Sequence, residues 1–214
     1  MPPTNNTSTN HHQLLRTQVY EYLREAFRSG DIRPGKFISI NQLVKELNMS
    51  RTPLRDALLQ LQTEGFVTFL PQRGIRINEV TDDVLVDIYE MLGALDSRAL
   101  LSVGDRLGAK EVSMMKKINE RMLQVIDNKG YSRYFKLNTD FHNVYLDLST
   151  NDPLLKQVNI LRQRLFEFNY NPEWLEKGLP LTYTEHLTMI DLIESGRYRE
   201  AADFMRDVHC SRNW

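Results

Sequence analysis

The sequence predicts a mainly α-helical protein, with an N-terminal winged helix-turn-helix followed by a C-terminal bundle made only of helices. Three helical patterns precede two short β patterns within the first 80 residues, and hydrophobic spacing is helical almost throughout the rest. The charge also changes sign. Residues 13–78 carry ten Lys/Arg against six Asp/Glu, a balance of +4, whereas residues 79–214 carry seventeen against twenty-two, a balance of −5. We therefore expect two domains, 13–80 and 81–214, after a disordered leader at 1–12.

The first helical pattern runs from Leu14 to Phe27. Ser39 is a suitable N-cap for a short second helix, and Ser50 is a suitable N-cap for a third, which ends at Gly65. Two strands are then predicted, Phe66–Leu70 and Gly74–Asn78, joined by a hairpin tip. Three helices followed by a two-stranded wing is the order of a winged helix-turn-helix.

The second domain is predicted to consist of helices separated by Gly, Asn and Pro signals. One segment, Asn171–Pro180, is predicted to be a loop or a short irregular helix because it contains Gly and two prolines. The predicted helices are Thr81–Leu107, Lys110–Asn128, Tyr131–Thr150, Leu154–Phe168, Thr182–Ser195 and Arg199–Cys210.

The start of the third helix carries side chains suited to duplex DNA. In a helix-turn-helix, the second helix of the pair enters the major groove and its first residues meet base edges. Here Arg51 and Arg55 are four residues apart and therefore share a helix face, and arginine can bind guanine O6 and N7 together. Ser50 and Thr52 can bind phosphate oxygens.

The tip of the predicted wing adds two further candidates. Arg73 would reach phosphates or a neighbouring minor groove, and Gly74 would let the wing backbone come close to the duplex. On an arbitrary helix, exposed arginines usually only interact with solvent. The order of helix, turn, helix and wing around them favours DNA binding.

These residues resemble the GntR family of bacterial transcription regulators over about Gln13–Val80. The remainder, about Val84–His209, resembles the all-helical FCD effector-binding domain of the FadR-like branch. The resemblance implies a homodimer on a short palindromic operator and a small-molecule effector that alters DNA affinity. It rests on four motifs, which are Gly30-x-Ile32-x-Pro34-Gly35, Leu43-x-x-x-Leu47-x-Met49-Ser50-Arg51-Thr52-Pro53-Leu54-Arg55-Asp56-Ala57-Leu58, Leu61-x-x-Glu64-Gly65-Phe66-Val67 and Arg73-Gly74.

Four residues of the second domain are candidates for a metal or effector site. Asn138 and His142 lie four apart on one predicted helix, and His186 and His209 lie on two others. Three imidazoles and an oxygen donor would hold Zn²⁺ or Ni²⁺. The resemblance implies that many relatives have an aspartate at the position of Asn138 and a last histidine at that of Val208. His209 is therefore expected to lie one residue, about 100° of helix, out of place. Without a metal, Asn138, His142 and His186 would bind an organic ligand directly.

The resemblance also implies that relatives often carry an arginine in the first helix of this domain, where this chain has Leu92. A simple carboxylate effector is therefore in doubt. Arg98, Arg162 and Arg164 are possible substitutes, although surface or interhelical ion pairs are the commoner role of such arginines.

The sequence also limits the classes of function. It has no apolar run long enough to cross a bilayer, no secretory signal, and the single cysteine Cys210, which together predict a cytoplasmic protein without membrane partners. We expect a regulator and no enzyme. Two alternatives remain at this point, an effector-independent architectural DNA-binding protein and a metal-dependent hydrolase using the three histidines, although no general base and no HExxH spacing accompany them.

Overall fold

The computed structural model describes residues 14–15, 17–23, 25–26, 29, 31–127, 131–167 and 172–211. The leader predicted to be disordered, residues 1–12, lies outside these ranges. The described chain separates into two compact units, one built mainly from residues up to Val80 and the other beginning at Thr81. Among the described helices, none is both long and apolar enough to cross a membrane.

The first unit contains three helices. Helix α1 is represented by residues 14–15, 17–23 and 25–26, α2 is Ile40–Glu46 and α3 is Arg51–Thr63. Ser39 caps α2 as predicted, because its side chain accepts a hydrogen bond from the Asn41 backbone N–H. The helices are held by apolar side chains at helical spacing, which are fully buried: Val19, Leu43, Leu54, Leu58 and Leu61.

A small antiparallel sheet completes the first unit. It has the order β1-β3-β2, with β1 at Phe37–Ile38, β2 at Val67–Leu70 and β3 at Gly74–Ile77. The two predicted wing strands are present. Strand β1 was not predicted, because two residues are too short for an alternating pattern and only pairing with β3 defines them as a strand.

The second unit contains only helices among its described residues. The breaks at Gly108, Asn151 and Gly196 lie where the sequence signals predict them. The elements are α4 (Asp82–Val103), a 3-10 turn (Gly104–Arg106), α5 (Ala109–Asp127), α6 (Tyr131–Leu146), α7 (Asp152–Glu167), α8 (Pro172–Glu194), α9 (Tyr198–Phe204) and a π-helical turn (Met205–His209).

Helix α8 corrects one prediction. The segment predicted as a loop or irregular helix continues without a break into the helix predicted to start at Thr182, and Pro180 lies inside it. A proline removes one helical hydrogen bond and costs about 3 kcal/mol or more. Burial of the apolar face that follows, including Met189 and Ile193, offsets this cost and keeps the helix continuous.

We expect Gly74→Ala to lower the free energy of unfolding of the first unit by more than about 1 kcal/mol. Gly74 has φ +94°, and a Cβ atom built on it lies 2.4 Å from the backbone oxygen of Ile38 in β1. Chemical denaturation monitored by circular dichroism measures the change. Gly35→Ala is the control in the same unit, since Gly35 has φ +79° and an added Cβ atom meets only the flexible end of the Glu79 side chain. An equal effect of both substitutions would show that contact with β1 is unimportant.

Candidate DNA-reading helix and metal centre

The first turn of α3 presents polar side chains to solvent. Ser50, Arg51, Thr52 and Arg55 are all exposed, whereas Leu54 on the opposite face is fully buried. Ser50 is the N-cap residue by backbone conformation, but its side chain makes no capping hydrogen bond. Its hydroxyl is therefore available to an external acceptor or donor. The positive end of the α3 dipole lies beside these four residues, which favours a phosphate there.

Arg51 is held by a residue that the sequence did not single out. Its guanidinium Nη2 donates to the side-chain Oδ1 of Asn41, in the first turn of α2, at 2.8 Å. The bond restricts the rotamers of a long side chain before any ligand binds, and so reduces the entropy cost of a specific contact. Asn41 lies two residues after the cap Ser39, a position where no sequence signal indicates a partner for Arg51.

The wing residues have two different roles in the structure. Arg73 is exposed at the hairpin tip, next to Gln72, which has φ +62°. Gly74 is half-buried, and its lack of a side chain is required by the approach of β1 described above. Packing within the unit is sufficient to explain this glycine, and its close approach to DNA stays a prediction.

Three histidines meet inside the second unit. His142 of α6, His186 of α8 and His209 of the π turn each offer a ring nitrogen, and these nitrogens all lie within 4.8 Å of one another. The Nε2 atoms of His142 and His209 are 3.3 Å apart. Two nitrogens bound at about 2.05 Å to one tetrahedral ion would be separated by roughly 3.3 Å. The spacing of this pair thus suits a single metal ion.

The position of His209 corrects the sequence expectation. If the last helix were a regular α-helix, the side chain of His209 would point about 100° away from the position of the metal ligand. The structure instead has a π-helical turn at Met205–His209, in which the Cys210 N–H donates to the Met205 oxygen, five residues earlier, at 3.0 Å. A π turn contains one more residue than an α turn. It therefore absorbs the extra residue and returns His209 to the cluster.

Each imidazole is oriented by a different partner at Nδ1. The partners are the Tyr145 hydroxyl for His142 at 2.9 Å, the Asn119 Oδ1 for His186 at 3.1 Å, and the Glu185 carboxylate for His209 at 2.7 Å. Asn119 is itself fixed, since its Nδ2 donates to the Tyr183 oxygen. A proton on Nδ1 leaves the Nε2 lone pair free, and such outer partners commonly orient metal-binding histidines.

Burial keeps two of these histidines neutral. His142 is 3% exposed and His186 is 0% exposed. Desolvation is the main reason that the pKa of each lies well below 6.5, and the Arg162 guanidinium lowers the pKa of His142 further. The approach of His142 Nδ1 to the Asp96 carboxylate at 3.9 Å is accordingly not an ion pair. Neutral imidazoles are the form that binds metals.

Two buried polar atoms of the site have no hydrogen-bond partner. They are Nε2 of His186 and Oδ1 of Asn138, which lies one helical turn before His142 and is 8% exposed. An unsatisfied buried polar group costs about 1–3 kcal/mol, and unsatisfied groups require an explanation. Both orphaned atoms are of a type that coordinates Zn²⁺ or Ni²⁺. The three histidines therefore fit a divalent metal, and Asn138 offers an oxygen of a suitable type one turn before His142.

The arginines considered for a carboxylate effector have other positions. Arg162 is buried and forms an interhelical ion pair with Asp96 of α4 at 2.8 Å, so it is not free to bind a ligand. Arg98 is exposed and Arg164 is half-buried. Leu92 is 4% exposed and belongs to the core.

The first unit is a winged helix-turn-helix with exposed arginines at the start of its third helix. The second is a helical unit with a buried histidine cluster. Together they define a DNA-binding regulator that senses a ligand. The chain belongs to the GntR family. Residues 15–77 match the model of bacterial regulatory proteins of the gntR family, and residues 87–209 match the model of the FCD domain.

Known relatives regulate transcription. The Nta operon transcriptional regulator of Aminobacter aminovorans is 30% identical over 175 residues, which cover 81% of this chain and 80% of that protein. The transcriptional repressor RspR of Escherichia coli K12 is 22% identical over 79% of this chain and 77% of its own length. Neither the architectural alternative nor the hydrolase is supported by these matches, and the expectation that the chain is not an enzyme is confirmed.

Solved structures show the same fold. E. coli McbR/YncC superimposes with a TM-score of 0.67 at 20% identity, over 90% of this chain and 93% of that one. A GntR transcriptional regulator from Rhodococcus sp. RHA1 gives a TM-score of 0.60 at 18% identity, over 89% and 91%. At this level of identity the likeness concerns the fold alone.

We expect the metal-free protein to lose stability as the pH falls below about 6.5. The pKa of His142 and that of His186 are lowered in the folded chain, so the unfolded chain takes up protons at a pH where the folded chain does not. Their contribution is complete above the unfolded pKa and is lost as the pH falls toward the folded pKa. Urea titrations between pH 7.5 and 5.5 measure the slope.

The control for this pH dependence is His186→Gln, which removes one of the two buried imidazoles. Burial raises the pKa of the Asp96 carboxyl, which acts in the opposite direction, but Asp96 is present in both proteins. The difference between the two slopes therefore isolates the histidine. Identical slopes would contradict a lowered pKa for His186.

Proposed function

We propose that this regulator reads its operator through Ser50, Arg51, Thr52 and Arg55, with Arg73 at the wing contacting the phosphate backbone. The exposure of the four residues on one side of the α3 N-terminus carries this proposal. Arg55 has no ion pair or hydrogen bond within the described residues, so its five donors are available for a base edge. The proposal includes a homodimer on a palindromic operator, because a two-fold axis in the protein matches two half-sites.

We expect Arg51→Ala or Arg55→Ala to weaken operator binding by roughly 5- to 150-fold, which corresponds to the loss of about 1–3 kcal/mol for a bidentate arginine–guanine contact. The operator is first selected from a random duplex library with the wild-type protein. Fluorescence anisotropy at several salt concentrations then measures the affinity, and light scattering measures the oligomeric state. Loss of specific binding should leave the salt-dependent non-specific binding largely intact.

The matched control is Arg121→Ala, which removes an exposed arginine from α5 in the second unit. It changes the net charge by the same amount without altering α3. If Arg121→Ala weakens operator binding as much as Arg55→Ala, net charge accounts for the effect. Wild-type affinity in both α3 variants would reject the proposed docking of this helix.

We further propose that His142, His186, His209 and Asn138 hold a divalent metal, Zn²⁺ or Ni²⁺, within the effector domain. The convergence of three Nδ1-anchored imidazoles supports it, as do the unsatisfied buried atoms His186 Nε2 and Asn138 Oδ1. A metal held there would supply a Lewis-acidic centre for binding an effector. The chain itself provides the orientation of the ligands through Tyr145, Asn119 and Glu185, and it excludes bulk water by burying the cluster. Effector binding would shift operator affinity only as far as the effector binds one conformation of the protein more tightly than the other.

We expect the purified chain to bind one equivalent of Zn²⁺ or Ni²⁺, and its unfolding temperature to rise on metal addition, because a ligand of the folded state stabilises that state. Equilibrium dialysis with elemental analysis measures the stoichiometry. His209→Gln should reduce metal affinity by at least about tenfold. Unchanged affinity in this variant would remove His209 from the site.

Deletion of Asp207 tests the role of the π turn in the same assay. Asp207 is an exposed residue within Met205–His209, and its removal should convert the π turn into an α turn while leaving the direction of His209 unchanged. Metal affinity should then remain within about threefold of wild type. A loss as large as that of His209→Gln would show that the π turn has a purpose other than absorbing one residue.

A further inference from the structure

A cavity of about 170 Å³ lies at the C-terminal end of α4, beside the connection between α6 and α7. Two buried side chains, Val103 and Leu154, supply the apolar part of its wall. None of the lining residues belongs to the histidine cluster. The polar lining residues are Arg98 and Ser102 of α4, Arg106 of the 3-10 turn, and Ser149, Thr150 and Asn151 of the connection.

Two arginines face this cavity, and no carboxylate is among the described residues that line it. Arg98, considered above for a carboxylate effector, has no ion pair or hydrogen bond within the described part of the chain. Arg106 is held in place because its Nη1 donates to the Leu148 backbone oxygen at 2.6 Å, which leaves its other guanidinium nitrogens available. Two cations beside one cavity repel each other, and an anion bound between them would remove the repulsion.

The connection between α6 and α7 adds further hydrogen-bond donors. The Ser149 hydroxyl accepts the Asn151 backbone N–H at 3.2 Å, and Asn151 Oδ1 accepts the Leu154 backbone N–H at 3.2 Å. Because these bonds occupy acceptor atoms, the Ser149 O–H and the Asn151 side-chain N–H groups stay available to donate, as does the Thr150 hydroxyl. Ser102 is not counted, since its hydroxyl already donates to the backbone of α4.

The position of the arginines has one simpler explanation, the negative end of the α4 dipole, which favours a cation nearby. The dipole does not explain why side chains of a second segment bring donors to the same cavity. It also does not explain why their acceptor atoms are used within the segment itself. An excess of donors over acceptors in one cavity is the arrangement that an anion requires.

The number of donors favours a tetrahedral oxyanion over a planar carboxylate. A single guanidinium satisfies a carboxylate through two parallel hydrogen bonds. A phosphate group carries up to about two negative charges and at least three acceptor oxygens, which suits two guanidinium groups together with three neutral donors. The cavity is smaller than the roughly 300–1,000 Å³ typical of sites for larger ligands, so it would hold the phosphate group and little else.

We propose that this cavity binds a phosphate group through Arg98 and Arg106, either as free phosphate or as the monoester of a small metabolite. The bound group would join the end of α4 to the connection between α6 and α7, which the bond from Arg106 to Leu148 already links. The site needs neither the proposed metal nor the proposed DNA contacts. It gives the regulator a second ligand site, separate from the histidine cluster.

Isothermal titration calorimetry of the full chain, in chloride buffer at constant ionic strength, measures the binding of inorganic phosphate. We expect saturable binding of one phosphate per chain. Arg98→Gln and Arg106→Gln should each weaken it by at least about tenfold, because each removes a charged donor pair. Arg98→Lys keeps the charge but loses the fork of the guanidinium, so its affinity should lie between those of wild type and Arg98→Gln.

Two control variants should keep the wild-type affinity for phosphate. Arg121→Gln removes an exposed arginine from α5 and leaves the cavity unchanged. His186→Gln alters the histidine cluster and shows whether the two sites are separate. The unfolding temperature of every variant in chloride alone, measured by circular dichroism, confirms that the chain is folded before its affinity is compared.

Methyl phosphate and acetate distinguish the classes of anion in the same titration. Affinity for methyl phosphate comparable to that for inorganic phosphate identifies a site for monoesters, whereas binding of inorganic phosphate alone identifies free phosphate as the ligand. Three results would overturn the proposal: no saturable binding of either phosphate, tighter binding of acetate, or an equal loss in Arg121→Gln and Arg98→Gln. Loss of phosphate binding in His186→Gln would also overturn it, because the anion would then bind at the histidine cluster.

Discussion

The second unit is organised around one constraint, the fixed orientation of three imidazoles that come from distant parts of the chain. A ring that is anchored at Nδ1 presents Nε2 in a defined direction, and here the three anchors are a tyrosine hydroxyl, a backbone-fixed amide and a carboxylate. The stacking of Phe141 on His186, with ring centroids 3.6 Å apart and planes 8° apart, restricts one ring further. Helices α6, α8 and the π turn must therefore keep their relative positions for the cluster to exist.

The ion pair between Asp96 and Arg162 connects this cluster to α4, the helix with which the second unit begins. A buried ion pair contributes little net stability, because desolvation of both charges offsets their attraction. Removing one partner is costly, however, since the other charge is then buried alone. The pair therefore fixes the register of α4 against α7 beside His142. The two charges nearest to this histidine come from different helices, Asp96 from α4 and Arg162 from α7.

The DNA-binding unit depends on a different kind of constraint. Its core is a set of leucines at helical spacing, and its sheet is closed by a two-residue strand that only Gly74 permits to approach. Local signals specify this unit well: the cap at Ser39, the start of α3 after Ser50, the Gly65 terminator and the hairpin lie where the pattern predicts them. The unpredicted features are the non-local ones, namely β1 and the bond from Asn41 to Arg51.

The sequence by itself determined the order of the elements, the two-part architecture, the family and the identities of the candidate residues, because hydrophobic period, capping residues and a contiguous motif are local properties of the chain. Only the tertiary structure decided that α8 continues through Pro180 and that His209 joins His142 and His186. Counting residues along a regular α-helix does not predict a π turn, because tertiary packing decides where the extra residue is accommodated. The partners of each imidazole were likewise decided by packing between helices that are far apart in sequence.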